Sequence, residues 1–84
     1  MKAKPLNRTI GLAIRTLRLK RNLSQEELAE LANLDRTYIS GIERNKRNLT
    51  LGTLDKIIPH ISKNTEEFLS FVISLRKDGS RLPR

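Results

Sequence analysis

SQEELAELANLDRTYISGIER, from Ser24 to Arg44, is the stretch that decides how this chain folds. It carries two helix-start signals in close succession. Ser24 followed by Glu27 has the form of a capping box, in which each end of the S-x-x-E string satisfies a backbone donor of the other, and Leu23 in front can act as a hydrophobic staple. Leu28, Ala29, Leu31 and Ala32 then repeat at helical spacing, so a short helix runs from Gln25 to about Ala32. Asn33-Leu34 interrupts the pattern. Asp35 can cap a further helix from Arg36 to about Arg44. Two short helices joined by so few residues, one of them the apolar Leu34, must cross at a steep angle.

Upstream, Asn7 to Arg21 has helical spacing with Asn7 as its candidate cap, and Asn22 suits the left-handed residue that ends a helix. Ile10, Ile14, Leu17 and Arg21 share one face of this first helix, while Leu12 and Leu19 fall on the other, which predicts cover on two sides. Downstream, Asn45-Lys46-Arg47-Asn48-Leu49 reads as a polar loop with one apolar anchor. Thr50 can cap a fourth helix with Leu51, Leu54, Ile57, Ile58 and Ile61 in one stripe. Pro59 removes a backbone donor inside it and predicts a kink or an early end. Asn64-Thr65-Glu66-Glu67 is a second candidate capping box, opening a fifth helix to about Lys77. The expectation is an all-α chain of five short helices in one compact domain, residues 7–77. Residues 1–6 are expected to be a flexible segment and 78–84, with Gly, Ser and Pro, a disordered tail.

Composition narrows the function. Seventeen Lys and Arg against nine Asp and Glu give a net charge of +8, which favours a polyanionic partner. The chain has no cysteine, so neither a disulfide framework nor a thiolate metal site is available. No apolar run approaches the roughly 20 residues a membrane span needs, and no apolar segment follows Met1-Lys2-Ala3-Lys4-Pro5 as in a secretory signal. A cytoplasmic protein is expected. His60 is the single histidine, with no second ligand or paired carboxylate beside it, so neither catalysis nor a cofactor or metal is expected.

A tight turn between the second and third helices suggests a helix-turn-helix, whose second helix enters the major groove of DNA. On a wheel of that helix, Ile39, Ile42 and Glu43 fall to one side. Thr37, Ser40, Gly41 and Arg44 fall to the other, with Tyr38 at the edge. Arg36 and Thr37 lie in the first turn, where side chains reach base edges; an arginine offers paired donors matching guanine O6 and N7. Gly41 on the outer face would allow the backbone a close approach to DNA. Gln25, at a helix start with free backbone donors, suits a phosphate. Lys46, Arg47 and Asn48 are placed to hold the flanking backbone. The candidate DNA-binding set is therefore Gln25, Arg36, Thr37, Tyr38, Ser40, Arg44, Lys46, Arg47 and Asn48. On the fifth helix, Phe68, Leu69, Phe71, Val72, Ile73 and Leu75 wrap more of the surface than one core stripe needs. One side is expected on Leu12 and Leu19, and the other, through Phe68, Phe71, Val72 and Leu75, on a second copy of the chain.

The stretch Leu17 to Leu54, LRLKRNLSQEELAELANLDRTYISGIERNKRNLTLGTL, resembles the Xre/Cro-type repressor family, with LSQEELA and the close ISGIERNKR as the most specific strings. The finer string LDRTYISGIERNKRNLT, Leu34 to Thr50, is similar to the controller proteins of bacterial restriction–modification systems. The resemblance implies a lambda-repressor-like helix-turn-helix domain, a homodimer on paired operator sites, and control of its own gene and the endonuclease gene. It also implies an ion pair between Arg18 and Glu43, which would brace the recognition helix from inside. The alternative is an antitoxin-type or phage-type repressor acting mainly through a protein partner. Activation would call for contact with RNA polymerase, and no residue announces one. Single-stranded RNA binding relies on stacking aromatics, of which the chain has three, Tyr38, Phe68 and Phe71.

Overall fold

In the computed structural model, which describes residues 6–77, those residues form five helices and no strand. They are α1 (Leu6–Lys20), α2 (Gln25–Ala32), α3 (Arg36–Glu43), α4 (Leu51–Ile61) and α5 (Thr65–Lys77). Most of the expected segment 1–6 and the tail 78–84 lie outside the described residues. Leu6 is already helical, so Asn7 sits inside α1 rather than capping it.

The starts of the helices follow local chemistry. Ser24 Oγ accepts from the Glu27 amide at 2.9 Å and the Glu27 carboxylate accepts from the Ser24 amide at 2.8 Å, closing the capping box. Asp35 accepts from the Thr37 amide, Thr50 from that of Thr53, and Asn64 from that of Glu67. Each side chain satisfies a donor the first turn leaves open.

The ends of α1, α2 and α3 share one device. Asn22, Asn33 and Asn45 all have φ between 58° and 60°, the left-handed region. In each case the asparagine amide donates three residues back, to Leu19, Glu30 and Ile42, and the next amide donates five back, to Arg18, Ala29 and Gly41. This paired pattern is the Schellman motif, and asparagine tolerates its conformation better than other residues with a Cβ. It throws Leu23 and Leu34 back onto the core, where both are half-buried.

The core holds Ala13 and Ile14 of α1, Leu28 of α2, Ile39 and Ile42 of α3, Leu54, Ile57, Ile58 and Ile61 of α4, and Phe68 and Val72 of α5. α1 and α3 cross so closely at Gly11 that a Cβ there would collide with the Ile42 carbonyl oxygen. Gly11→Ala should therefore destabilise the fold by about 1–3 kcal/mol, the usual cost of overpacking, although Ala favours an isolated helix by about 1 kcal/mol. Urea unfolding of the variant beside the parent measures this.

Two expectations are corrected here. α4 does not end early at Pro59 but continues to Ile61. Pro59 is exposed in the last turn and removes one helical hydrogen bond, while Ile57, Ile58 and Ile61 are held in the core. Leu12 and Leu19 are not covered by α5; they remain 40% and 50% exposed. α5 lies antiparallel on α1 along a neighbouring line, with Arg76 Nη1 donating to Thr9 Oγ1 at one end and Lys20 over the Phe71 ring at the other.

Candidate nucleic-acid interface

α3 is held from behind by a buried ionic cluster. Arg18 of α1 donates through Nε to Glu43 Oε2 at 2.7 Å and through Nη2 to Oε1 at 2.9 Å, a two-pronged pairing of the planar guanidinium with the carboxylate. Its Nη1 donates to the Leu23 carbonyl at 2.7 Å, and Gln25 Nε2 donates to Glu43 Oε1 at 3.0 Å. The two charged side chains are 6% and 0% exposed. A charged pair this well enclosed adds little net stability, because desolvation offsets the attraction. What it does add is orientation: α1, the start of α2 and the end of α3 are tied to a single carboxylate.

The exposed surface of α3 and its C-terminal end carry the cations. Arg36 and Thr37 in the first turn are exposed, as is Arg44 at the far end, while Ser40 and Tyr38 are half-buried. Glu43, the one carboxylate within α3, is turned inward and paired, so it does not offset these charges at the surface. Past Arg44, the left-handed Asn45 turns the chain back along the helix. The Asn45 and Lys46 amides donate to the carbonyls of Ile42 and Gly41, at 3.1 and 2.7 Å, and Tyr38 Oη donates to the Asn48 carbonyl at 3.2 Å. Lys46, Arg47 and Asn48 are exposed and lie beside α3. At the start of α2 the capping box occupies the amides of Ser24 and Glu27. Those of Gln25 and Glu26 fall in the first turn, outside the helical ladder.

The expected placements of Gly41 and of the α5 residues change, and the Gln25 side chain takes a partner while its backbone stays at the helix start. Gly41 is buried, not open to an approaching duplex, because the stem of Arg47 lies over it. Gln25 is not free: its side chain is part of the Glu43 cluster, and its backbone start is what remains for an anion. Phe68 and Val72 do not face outward for a second copy; at 0% and 4% exposure they fill this chain's own core. Phe71 and Leu75 are half-buried, and the residues of α5 that point outward are Leu69 and Ile73, 45% and 54% exposed. The sequence pattern counted apolar residues on α5 but could not say which arc α1 and α4 would take. Gly11 and the left-handed turns at Asn33 and Asn45 carry roles the helical pattern does not show, though asparagine recurring at the ends of α1, α2 and α3 is a readable signal.

Among the described residues no group of three or more His, Cys, Asp or Glu is arranged to hold a metal, and no helix is long and apolar enough to cross a membrane. A capped helix, a turn locked by Asn33 and a second helix showing its cations outward make up a helix-turn-helix unit. The Helix-turn-helix family matches residues 14–58. The control protein C.BamHI of Bacillus amyloliquefaciens is 44% identical over 62 residues, covering 73% of this chain and 76% of that protein. The control protein C.SmaI of Serratia marcescens is 56% identical over 41 residues, and the match covers about half of each chain, 49%. Among solved structures, the wild-type restriction–modification controller protein C.Esp1396I superposes with a TM-score of 0.81 at 41% identity, over 84% of this chain and 92% of that one. The same controller has been crystallised as a tetramer in complex with its natural 35 base-pair operator. This chain belongs to the helix-turn-helix family and, within it, to the restriction–modification controller proteins.

Proposed function

We propose that the chain is a sequence-specific DNA-binding transcriptional regulator, the controller of a restriction–modification system, acting as a homodimer on operator DNA at its own and the endonuclease gene's promoter. The observation that carries this is the outer face of α3, where Arg36 and Thr37 project from the first turn while the helix's carboxylate is sequestered against Arg18. Arg36 and Thr37 read base edges, with Ser40 and Arg44 along the same side and Tyr38 at its edge. Lys46, Arg47, Asn48 and the backbone start of α2 at Gln25 hold phosphates on either side. The reading is of a cytoplasmic regulator and not an enzyme, since recognition is what this surface offers.

Two copies are needed to read a two-fold operator, and their recognition helices should lie about one DNA turn apart, roughly 34 Å. Leu69 and Ile73, with the half-buried Phe71 and Leu75, are the part of α5 left over from the core for that contact. The deciding experiment is a footprint of the protein on DNA upstream of its own gene. Protection of two half-sites related by a dyad is expected; uniform coating of the fragment would overturn the reading.

Base reading and backbone holding separate by salt and sequence. Arg36→Ala should remove roughly 1–3 kcal/mol at one base position and leave binding to scrambled DNA almost unchanged. Arg47→Ala should weaken binding to all sequences alike and flatten the salt dependence by about one unit of slope. Isotherms on operator and scrambled DNA across a salt series check both. Equal losses on the two DNAs for Arg36→Ala would mean that the reading face lies elsewhere.

A further inference from the structure

We infer that Gly41 is a positioning residue for DNA binding: its missing side chain leaves a seat on the outer side of α3 in which Arg47 is held. The inference deepens the DNA-binding reading above and rests on it. A Cβ built at Gly41 would stand 2.5 Å from Arg47 Cγ, 3.3 Å from its Cβ and 3.7 Å from its Cδ. These atoms form the base of the side chain, so turning the far end cannot relieve the overlap; the whole arginine would have to swing away. Gly41 is buried although it lies across the helix from the core residues Ile39 and Ile42, and Arg47 is what covers it.

The far end of the arginine is placed as well. Arg47 Cζ lies 5.8 Å from the centroid of the Tyr38 ring, one turn nearer the start of α3. A guanidinium over an aromatic face at this distance is attracted by it. The ring is itself tied to the loop by the Tyr38 hydroxyl on the Asn48 carbonyl, and the loop to the helix by the Lys46 amide on the Gly41 carbonyl. Arg47 therefore lies along α3 with its stem on Gly41 and its head toward Tyr38, still exposed to an incoming strand. A free arginine loses much rotamer freedom when it clamps a phosphate, and a seated one has already given most of it up. Glycine is a poor choice inside a helix on propensity alone; keeping this lane open is a physical reason for one here.

The test is a double-mutant cycle of Gly41→Ala and Arg47→Ala, titrated at fixed salt on the DNA fragment protected in the footprint, with thermal melting of each protein. Gly41→Ala should melt no lower than the wild type, because only a side chain is displaced, and should bind roughly tenfold more weakly, the scale of one charged hydrogen bond. In the Arg47→Ala background the same change should cost nothing further. In the DNA-free protein, the Arg47 Nε proton, next to the Cζ that lies 5.8 Å from the Tyr38 ring centroid, should resonate upfield of a free arginine's and move to its ordinary position in Gly41→Ala. Unchanged binding by Gly41→Ala, losses that add in the double variant, or a Gly41→Ala chain that fails to fold would each overturn the inference. A wild-type protein that does not prefer the protected fragment over scrambled DNA overturns the DNA-binding reading instead, and the Arg47 proton shift still decides whether the seat exists.

Discussion

Glu43→Gln should lower the stability of this protein by roughly 3–5 kcal/mol, as expected when a buried charge loses its partner. The amide keeps the shape of the carboxylate, yet it faces Arg18 with one acceptor where the guanidinium pairs with two, at 2.7 and 2.9 Å. Arg18 stays charged and only 6% exposed, with the Leu23 carbonyl as its remaining strong acceptor. At roughly 4–8 °C per kcal/mol for a domain of this size, the melting midpoint should fall by more than about 10 °C. Removing a negative charge from an exposed recognition helix would do the reverse, tightening DNA binding with stability unchanged. Thermal melting beside a DNA titration separates the two. An unaltered midpoint with stronger binding would mean that the brace between α1 and α3 does not exist in solution.

Leu69→Lys combined with Ile73→Lys should split the proposed dimer and leave each chain folded. Both side chains are about half exposed in the single chain, so two lysines there meet water as long as no second copy is present. Pressed against a second copy, they would bring four ammonium groups into one interface, where buried charge without a partner is strongly unfavourable. Sedimentation should then report a mass near 9.7 kDa where the parent reports twice that. Affinity for a paired operator should fall by roughly 10²–10⁴, the gain that linking two binding units confers, while affinity for a single half-site should hold. Phe68→Ala is the control: Phe68 is fully buried in its own chain, so truncation should cost about 3–5 kcal/mol of folding stability. A double-lysine variant that stays dimeric would place the interface away from this arc of α5.

Local order was legible in the residues because its causes are local. Ser24 and Glu27, Asp35, Thr50 and Asn64 announce where helices begin, since each satisfies a donor only three residues away or fewer. The short link through Asn33 and Leu34 fixes the tight turn between α2 and α3 for the same reason. The inward set Ile39, Ile42 and Glu43 and the α4 stripe from Leu54 to Ile61 follow from helical period alone. Leu51, expected in the same stripe, is instead 83% exposed, because no neighbouring helix among the described residues covers it at the start of α4. The family strings added the pairing of Arg18 with Glu43, which spacing by itself left open.

What tertiary structure decided concerns surfaces, where two elements compete for one face. Leu12, Leu19, Leu69 and Ile73 are as apolar as the residues of the core, yet they remain exposed because α1 and α5 meet along another line. Pro59 sits in α4 without ending it, because isoleucines on both sides are anchored in the core. Gly11 and Gly41 carry no pattern that separates them in the sequence. The first is needed because a carbonyl of α3 lies against it, the second because a side chain from the following loop does. Periodicity assigns each residue an angle about its own helix axis. Only packing says which neighbour occupies that angle, and that is where the seat of Arg47 and the outward arc of α5 were settled.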